Sequence, residues 1–182
     1  MPRDWESHYQ ADAGPVEPAF VVRYYGGRLP PGPVLDLAGG AGRNALFLAA
    51  LGHPVVLLEK SRAALLRVRQ AAERAGAEIY ALPADLEDDA EPLPPGRFAG
   101  AVMSYFVHRP LLYRLAERVV PGGLVLIEGF DRLEAVRRGR PNSPHYWEPF
   151  ELARPVPGFR LFAFGEGPRG MAHRTFAVWQ RL

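Results

Sequence analysis

The chain lacks cysteine altogether, and only one of its 22 basic residues, Lys60, is a lysine. Without thiols the sequence offers no disulfide framework, no thiolate zinc or iron–sulfur site and no cysteine nucleophile. It also lacks an apolar run approaching the roughly 20 residues of a membrane-spanning helix. Residues Met1–Glu6 are polar and charged, unlike the core of a signal peptide. These absences favour a cytoplasmic protein with no membrane partner.

Length and charge indicate the number of domains and the kind of partner. The 182 residues predict one domain, and a formal net charge of +2 is a weak argument for nucleic-acid binding. Within that domain, residues 1–30 predict two N-terminal helices, and residues 131–157 predict a partly helical insertion. The five histidines are scattered without ligand spacing, so we predict no metal site.

Apolar runs alternate with amphipathic segments along most of the chain. Five continuously apolar runs predict buried parallel strands: Pro33–Leu37, Pro54–Leu58, Glu78–Leu82, Ala99–Ser104 and Leu124–Glu128. Helical spacing predicts the connectors Arg43–Leu51, Ser61–Gly76 and Leu111–Val120. Gly158–Phe164 and His173–Trp179 predict an antiparallel hairpin joined by Gly165–Gly170. The predicted fold is α/β: a doubly wound, Rossmann-like, seven-stranded sheet, mostly parallel, with a C-terminal antiparallel hairpin and helices on both faces.

Small and acidic residues follow three successive strands. The first turn, Asp36 to Asn44, contains Gly39, Gly40 and Gly42, which let backbone amides approach a ligand closely. Glu59 ends the second strand, where an acid can accept two hydrogen bonds from a ribose diol. Asp85 follows the third strand and can accept from an adenine amino group. Each feature has a structural alternative: tight packing for the turn, a solvated strand-end charge for Glu59, and a turn cap for Asp85. Their coincidence at one sheet edge favours a nucleotide-like ligand.

These residues resemble the motifs of a known family. Val34–Arg43 is similar to the first motif of class I S-adenosylmethionine-dependent methyltransferases. Glu59, Asp85 and Phe98–Phe106 look like the second, third and fourth motifs, and Leu115–Glu128 looks like the P-G-G element that follows. Two positions depart from the pattern: Ala38 replaces the first glycine, which is tolerable at negative φ, and Glu59 replaces an aspartate. A nicotinamide site fits less well, because Ala45 stands where a dinucleotide fingerprint has its last glycine.

Four shorter stretches are similar to small bacterial tellurite-resistance and thiopurine-type methyltransferases. They are Gly42-Arg43-Asn44-Ala45, Tyr105–Pro110, Gly139-Arg140-Pro141 and Phe150-Glu151-Leu152. The resemblance implies S-adenosyl-L-methionine as cofactor. It also implies a set of cofactor contacts: Trp5, Tyr9, Asp36, Ala38, Gly39, Gly40, Gly42, Asn44, Glu59, Lys60, Ser61, Asp85, Leu86, Ser104 and Tyr105. Trp5 and Tyr9 share one helix face, where they either form a lid over the cofactor or pack that helix onto the core.

The acceptor side follows the fourth strand. Tyr105 and His108 are the candidate catalytic residues, with His108 interpreted either as a base or as a helix cap. Tyr146 and Trp147 either line the acceptor pocket or pack in the core. A small-molecule methyl acceptor is favoured over RNA or protein methylation through the basic residues 132–140, since a charge run is usually a solvated helix face. A non-catalytic S-adenosylmethionine-binding protein is the other alternative. The oligomeric state, monomer or homodimer, is left open, and the terminal hairpin is a candidate dimer surface.

Overall fold

The computed structural model describes residues 4–11, 17–88 and 93–182. Residues 1–3 and 12–16 of the predicted N-terminal segment lie outside this description, as do residues 89–92. Seven strands form the sheet: β1 (Val34–Leu37), β2 (Val55–Glu59), β3 (Ile79–Pro83), β4 (Phe98–Ser104), β5 (Val119–Phe130), β6 (Phe159–Arg169) and β7 (Ala172–Arg181). The helices are α1 (Trp5–Ala11), α2 (Phe20–Tyr25), α3 (Arg43–Ala50), α4 (Arg62–Ala75), α5 (Arg109–Leu115) and α6 (Arg132–Arg137).

The strand order is β3-β2-β1-β4-β5-β7-β6, which confirms the predicted seven-stranded fold. The first five strands pair in parallel, and β7 lies antiparallel between β5 and β6. From β1 the chain builds the sheet outward in one direction through β3, then crosses back to place β4 on the other side of β1. The switch point therefore falls between β1 and β4, where open α/β sheets bind their ligands.

Two buried clusters cover the two faces of the sheet. Leu48 of α3 and Leu65 of α4 pack on one face, and Leu111 and Leu115 of α5 pack on the other. Successive residues of β1 alternate between the clusters, because side chains of a strand point to opposite faces. Since β1 is buried on both faces, its sequence is a continuous apolar run interrupted only by Asp36.

Two predicted boundaries are wrong. The predicted helix Leu111–Val120 ends at Leu115, and its last two residues begin β5, where Val119 pairs with Phe98. Their branched side chains fit a strand better than the last turn of a helix. The predicted loop Gly165–Gly170 is also largely strand, because β6 continues to Arg169 and β7 starts at Ala172. Among the described helices, none is long and apolar enough to cross a membrane.

Candidate active site

The glycine-rich turn between β1 and α3 is wound tightly against the core. Ala38, Gly40 and Gly42 adopt φ values of 53°, 56° and 84°. Alanine was expected to be tolerated at position 38 if its φ were negative, but Ala38 is in the left-handed region. Residues with a Cβ atom are disfavoured in that region. A Cβ added to Gly39 would lie 2.6 Å from Leu57 and 2.9 Å from the Asp36 Oδ2 atom. The turn accordingly needs small residues because its backbone lies directly over β1 and β2.

Asp36 is a buried carboxylate beneath this turn. Its side chain is fully buried, and neither oxygen has a hydrogen-bond partner of normal geometry within the described part of the chain. Burial raises the pKa of Asp36 to about 7, and the nearby charge of Glu59 acts in the same direction. Arg43 and the backbone N–H of Ala45 lower this pKa but do not overcome burial. The site therefore holds a carboxyl group that a positively charged ligand would stabilise in its ionised form.

Glu59 is held by backbone amides on both sides. Its Oε2 accepts a 2.9 Å hydrogen bond from Gly40 N, and its Oε1 accepts one of 2.9 Å from Ser61 N. The side chain is 6% exposed, so the alternative of a solvated strand-end charge does not hold. A carboxylate has about four lone-pair positions. Glu59 thus links the ends of β1 and β2 and retains acceptor capacity for a ligand.

Helix α1 borders the same crevice. Glu6 accepts a hydrogen bond of 2.8 Å from the Ser61 hydroxyl, and Arg67 Nε donates one of 2.8 Å to the carbonyl oxygen of Tyr9. A Cβ added to Gly40 would lie 2.2 Å from the Tyr9 hydroxyl, and the rings of Tyr9 and Trp5 stack 6.1 Å apart. The structure therefore brings Tyr9 to the glycine-rich turn, with Trp5 stacked beside it.

The end of β3 is more open. Asp85 lies 3.7 Å from the Lys60 Nζ atom, and its Oδ1 accepts a hydrogen bond from Glu87 N at 3.1 Å. Lys60 also forms an ion pair with Glu87. Leu86 is 3% exposed and belongs to the core cluster beside α5. Asp85 therefore caps a turn, which was the structural alternative to a role in binding adenine. Its side chain is nevertheless half-exposed to solvent at the sheet edge.

Asn44 and Ser104, both predicted cofactor contacts, bond to one another. Asn44 Nδ2 donates to the Ser104 hydroxyl at 2.8 Å, and Asn44 Oδ1 accepts from Ala19 N at 2.9 Å. Asn44 is only 1% exposed, so these bonds form inside the protein. The pair ties α3 to the end of β4 and to the residue preceding α2, and it fixes the floor beside the switch point.

Tyr105 stands directly after β4 in a left-handed conformation, with φ of 57°. Its hydroxyl donates a 2.7 Å hydrogen bond to Glu128 Oε1. Burial, followed by the charge of Glu128, raises the pKa of Tyr105 well above its usual range, so the phenol is neutral at physiological pH. Sequence reasoning missed Glu128, although it is the one charged residue in the apolar run of β5. That isolated charge was the available signal.

The other acceptor-side candidates are spread around α5. His108 precedes α5 without making a side-chain capping hydrogen bond, and its ring stacks on Phe106 at 6.0 Å. Tyr146 and Trp147 are 6% and 1% exposed, which supports the interpretation of both as packing residues. His108 thus stands at the N-cap position of α5, but its side chain does not form the cap.

Two arginines lie over the Tyr105 ring, and a third lies over the ring of Phe20. Arg43 lies 5.2 Å and Arg174 lies 5.8 Å from the Tyr105 ring centroid, and Arg169 lies 3.7 Å from that of Phe20. Arg169 Nη1 and Arg174 Nε are buried and have no hydrogen-bond partner in the described part of the chain. Unpaired buried donors of this kind are costly, and an anion would satisfy them.

In the predicted basic stretch, residues 132–140, three of the four arginines are paired with glutamates. Arg137 and Arg138 both pair with Glu134, which is fully buried, and Arg132 pairs with Glu148. The hydrogen bond from Arg137 is the main reason why the pKa of Glu134 falls to about 2. These arginines are therefore engaged within the fold. Across residues 4–11, 17–88 and 93–182, no cluster of three metal-ligating side chains was found.

Comparison with known proteins fits this geometry. Residues 34–123, just under half of the chain, match the family model described as a methyltransferase domain. This part of the chain is therefore similar to a methyltransferase domain. The matched segment runs from β1 to the turn within β5, so it includes the glycine-rich turn, Glu59, Asp85 and Tyr105.

Solved structures share the methyltransferase fold over nearly the whole chain. One, from work on the conversion of a disulfide bond into a thioacetal group during echinomycin biosynthesis, has a TM-score of 0.73 at 20% identity, covering 97% of this chain and 90% of that chain. TehB from Haemophilus influenzae has a TM-score of 0.73 at 15% identity, covering 98% and 67%.

The glycopeptide N-methyltransferase MtfA complexed with sinefungin has a TM-score of 0.68 at 17% identity, covering 100% and 99%. No curated protein sequence matches this methyltransferase significantly. At these identities the solved structures establish the fold alone.

Proposed function

We propose that this methyltransferase transfers the methyl group of S-adenosylmethionine to a small acceptor that carries a negative charge. The observation that carries this proposal is Arg174, whose guanidinium lies 5.8 Å from the Tyr105 ring centroid and whose buried Nε has no hydrogen-bond partner in the described part of the chain. Because the cofactor's sulfonium supplies an already activated methyl group, the chain has only to bind, align and desolvate the reacting partners.

The cofactor contacts follow from the donors and acceptors at the sheet edge. Asp36 receives the cofactor's ammonium group, which offsets the cost of ionising a buried carboxylate. Glu59 uses its remaining lone pairs for the ribose hydroxyls, and Asp85 accepts from the adenine amino group. Tyr9 closes the crevice from the side of α1. The turn from Ala38 to Gly42 provides close backbone approach. Asn44 and Ser104, which were predicted to contact the cofactor directly, instead bond to each other beneath the site and support it.

The acceptor side lies between Tyr105 and the arginines. The Tyr105 and Phe130 rings are 4.9 Å apart, and Arg174 lies within 6.0 Å of both centroids. Aromatic faces and guanidinium groups together suit a small, planar, anionic molecule. Tyr105 does not act as a base, since its pKa is raised. His108 is the candidate base, and an acceptor that is already anionic requires none.

Methylation of RNA or protein through residues 132–140 is less well supported. Arg132, Arg137 and Arg138 are already ion-paired with glutamates, so their charge is unavailable for phosphates without breaking those pairs. A macromolecular acceptor would show a steep dependence of binding on salt concentration.

The first experiment tests cofactor binding by thermal shift. S-adenosylmethionine at about 100 times its dissociation constant stabilises a protein by roughly 2.7 kcal/mol. The second assay follows S-adenosylhomocysteine formation with aromatic carboxylates, phenols, thiols and inorganic oxyanions, each organic acid paired with its neutral amide. We expect turnover of anions and little turnover of the amides.

Arg174→Gln should lower turnover of an anionic acceptor at least tenfold, whereas Arg174→Lys should retain part of it and cofactor affinity should be unchanged. Arg97→Gln, which removes an exposed arginine preceding β4, is the matched control and should leave turnover intact. Equal turnover of acids and amides, or normal turnover by Arg174→Gln, would contradict the proposed acceptor. Cofactor binding without transfer to any compound would instead favour the non-catalytic alternative.

A further inference from the structure

Glu128 is a buried charge with an unusual set of partners. It is 1% exposed and sits near the carboxyl end of β5, in register with Ser104 of β4 and Phe176 of β7. A buried carboxylate is retained at low cost only when hydrogen bonds or charges satisfy it. Its neighbours on the sheet are otherwise apolar or small, so the partners of Glu128 indicate what this charge does.

Both oxygens of Glu128 accept hydrogen bonds from different parts of the chain. Oε1 accepts from the Tyr105 hydroxyl at 2.7 Å, and Oε2 accepts from Val21 N, in the first turn of α2, at 2.9 Å. Arg174 Nη1 lies 3.9 Å from Oε1. The backbone carbonyl of Glu128 also accepts from Tyr105 N at 2.7 Å. One residue therefore holds both the backbone and the hydroxyl of Tyr105.

The direction of the hydroxyl bond has a chemical consequence. A phenol has one proton to donate and lone pairs to accept with. Because the Tyr105 proton is directed to Glu128, its oxygen presents only lone pairs to any other partner. Arg43, which directly follows the glycine-rich turn, lies 5.2 Å from the same ring. The Tyr105 side chain is therefore beside the cofactor crevice.

The backbone of Tyr105 is strained in a way that these bonds can maintain. A non-glycine residue at φ of 57° costs of the order of 1 kcal/mol or more, and such strain persists where the surroundings hold the residue on several sides. Here the two bonds to Glu128 and the packing of the ring against Phe130 provide that restraint.

We propose that Glu128 is a positioning residue that turns the Tyr105 hydroxyl into an obligatory hydrogen-bond acceptor facing the methyl-bearing end of the cofactor. The inference rests on the proposed function, in which Tyr105 lies at the reacting centre. In that arrangement the phenol oxygen favours groups that bear a positive charge and polarised hydrogens, such as a sulfonium methyl or an ammonium. Glu128 never touches the ligand, and it acts only through Tyr105.

Two cofactor analogues test this without knowledge of the acceptor. S-adenosylhomocysteine lacks the methyl group and the charge, whereas sinefungin carries an ammonium group at that position. We expect the wild-type protein to bind sinefungin more tightly than S-adenosylhomocysteine in calorimetric titrations. Tyr105→Phe should reduce the ratio of the two dissociation constants by about tenfold or more, the usual effect of losing a hydrogen bond to a charged group.

The variant Glu128→Gln tests whether Glu128 orients the Tyr105 hydroxyl or only stabilises the fold. In Glu128→Gln the amide can donate to Tyr105, which reverses the direction of the bond. The ratio should fall about as far as in Tyr105→Phe, while affinity for S-adenosylhomocysteine changes little. The double variant should match Tyr105→Phe, because the glutamate acts only through the phenol. Glu134→Gln is the matched control: it alters another buried glutamate, so it should lower stability and leave the ratio unchanged.

A wild-type ratio in Glu128→Gln, or losses that add in the double variant, would overturn the inference. If Glu128→Gln does not fold, the wild-type complex provides the second test: a protected Tyr105 hydroxyl proton should be visible by NMR with either analogue, and a rapidly exchanging hydroxyl would count against the inference. Failure of the wild type to bind any of these nucleosides would refute the proposed cofactor site itself. Normal analogue binding without an anionic acceptor would refute only the proposed acceptor.

Discussion

Replacing Asp36 by asparagine should change how stability depends on pH. The pKa of Asp36 is raised from 3.8 to about 7 in the folded protein, so the folded state binds more protons than the unfolded state between these values. This group's contribution to stability is therefore fully present below its unfolded pKa and is lost as pH rises through the folded pKa. An amide of the same shape does not titrate, so Asp36→Asn removes this contribution.

The size of the effect follows from the two pKa values. Each unit of pKa difference is worth about 1.4 kcal/mol, so between pH 5 and pH 8 the wild-type protein should lose about 2 to 3 kcal/mol more unfolding free energy than Asp36→Asn. The carboxylate is fully buried, so solvent screening does not reduce this figure as it would at the surface. Near pH 5 both forms are neutral when folded.

Urea unfolding followed by the fluorescence of the three tryptophans measures this difference. The comparison requires the same denaturant slope in both proteins, so that midpoint shifts report stability. S-adenosylmethionine should flatten the wild-type profile, because its ammonium stabilises the ionised carboxylate, and it should bind Asp36→Asn more weakly at pH 8. Parallel pH profiles for the two proteins without ligand would refute the reasoning, since Asp36 would then not titrate in this range.

Two further variants test the glycine-rich turn and the carboxylate beside it. Ala38→Gly should raise the free energy of unfolding by about 1 kcal/mol, because glycine accepts the observed φ of 53° without the steric cost of a Cβ; an unchanged or lower urea midpoint would contradict this account. Glu59→Ala should weaken S-adenosylmethionine binding by an order of magnitude or more, since the ribose loses its acceptor and the Gly40 amide loses its partner. Calorimetry showing unchanged affinity would remove Glu59 from the site.

Local patterns predicted the sheet well because burial on both faces leaves a direct trace in sequence. The runs at β1 and β2 are apolar apart from Asp36 and Glu59, and the antiparallel hairpin was predicted at the correct end of the chain. The helix boundary near Val119 could not be located by periodicity, because an apolar residue after α5 fits either a last helical turn or the start of β5. Pairing with Phe98, a long-range contact, decided it.

In the candidate site, too, the sequence predicted some features and long-range contacts decided others. The sequence by itself predicted a nucleotide-like ligand, since small residues after β1 and acids after β2 and β3 converge where parallel strands end at one edge. The choice of S-adenosylmethionine came from the resemblance to the methyltransferase motifs. It did not determine which polar groups face a ligand and which face one another. Asn44 and Ser104 turned out to be bonded together, and Leu86 is packed in the core.

Only the tertiary structure shows which side chains surround Tyr105. Glu128 reaches Val21, 107 residues away in sequence, and Arg174 meets the Tyr105 ring from a strand near the end of the chain. No local pattern encodes such contacts, because they depend on the antiparallel insertion of β7 beside β5. The absence of cysteine excluded thiol chemistry from the start, whereas the placement of the abundant arginines acquired meaning only when the sheet brought them around Tyr105.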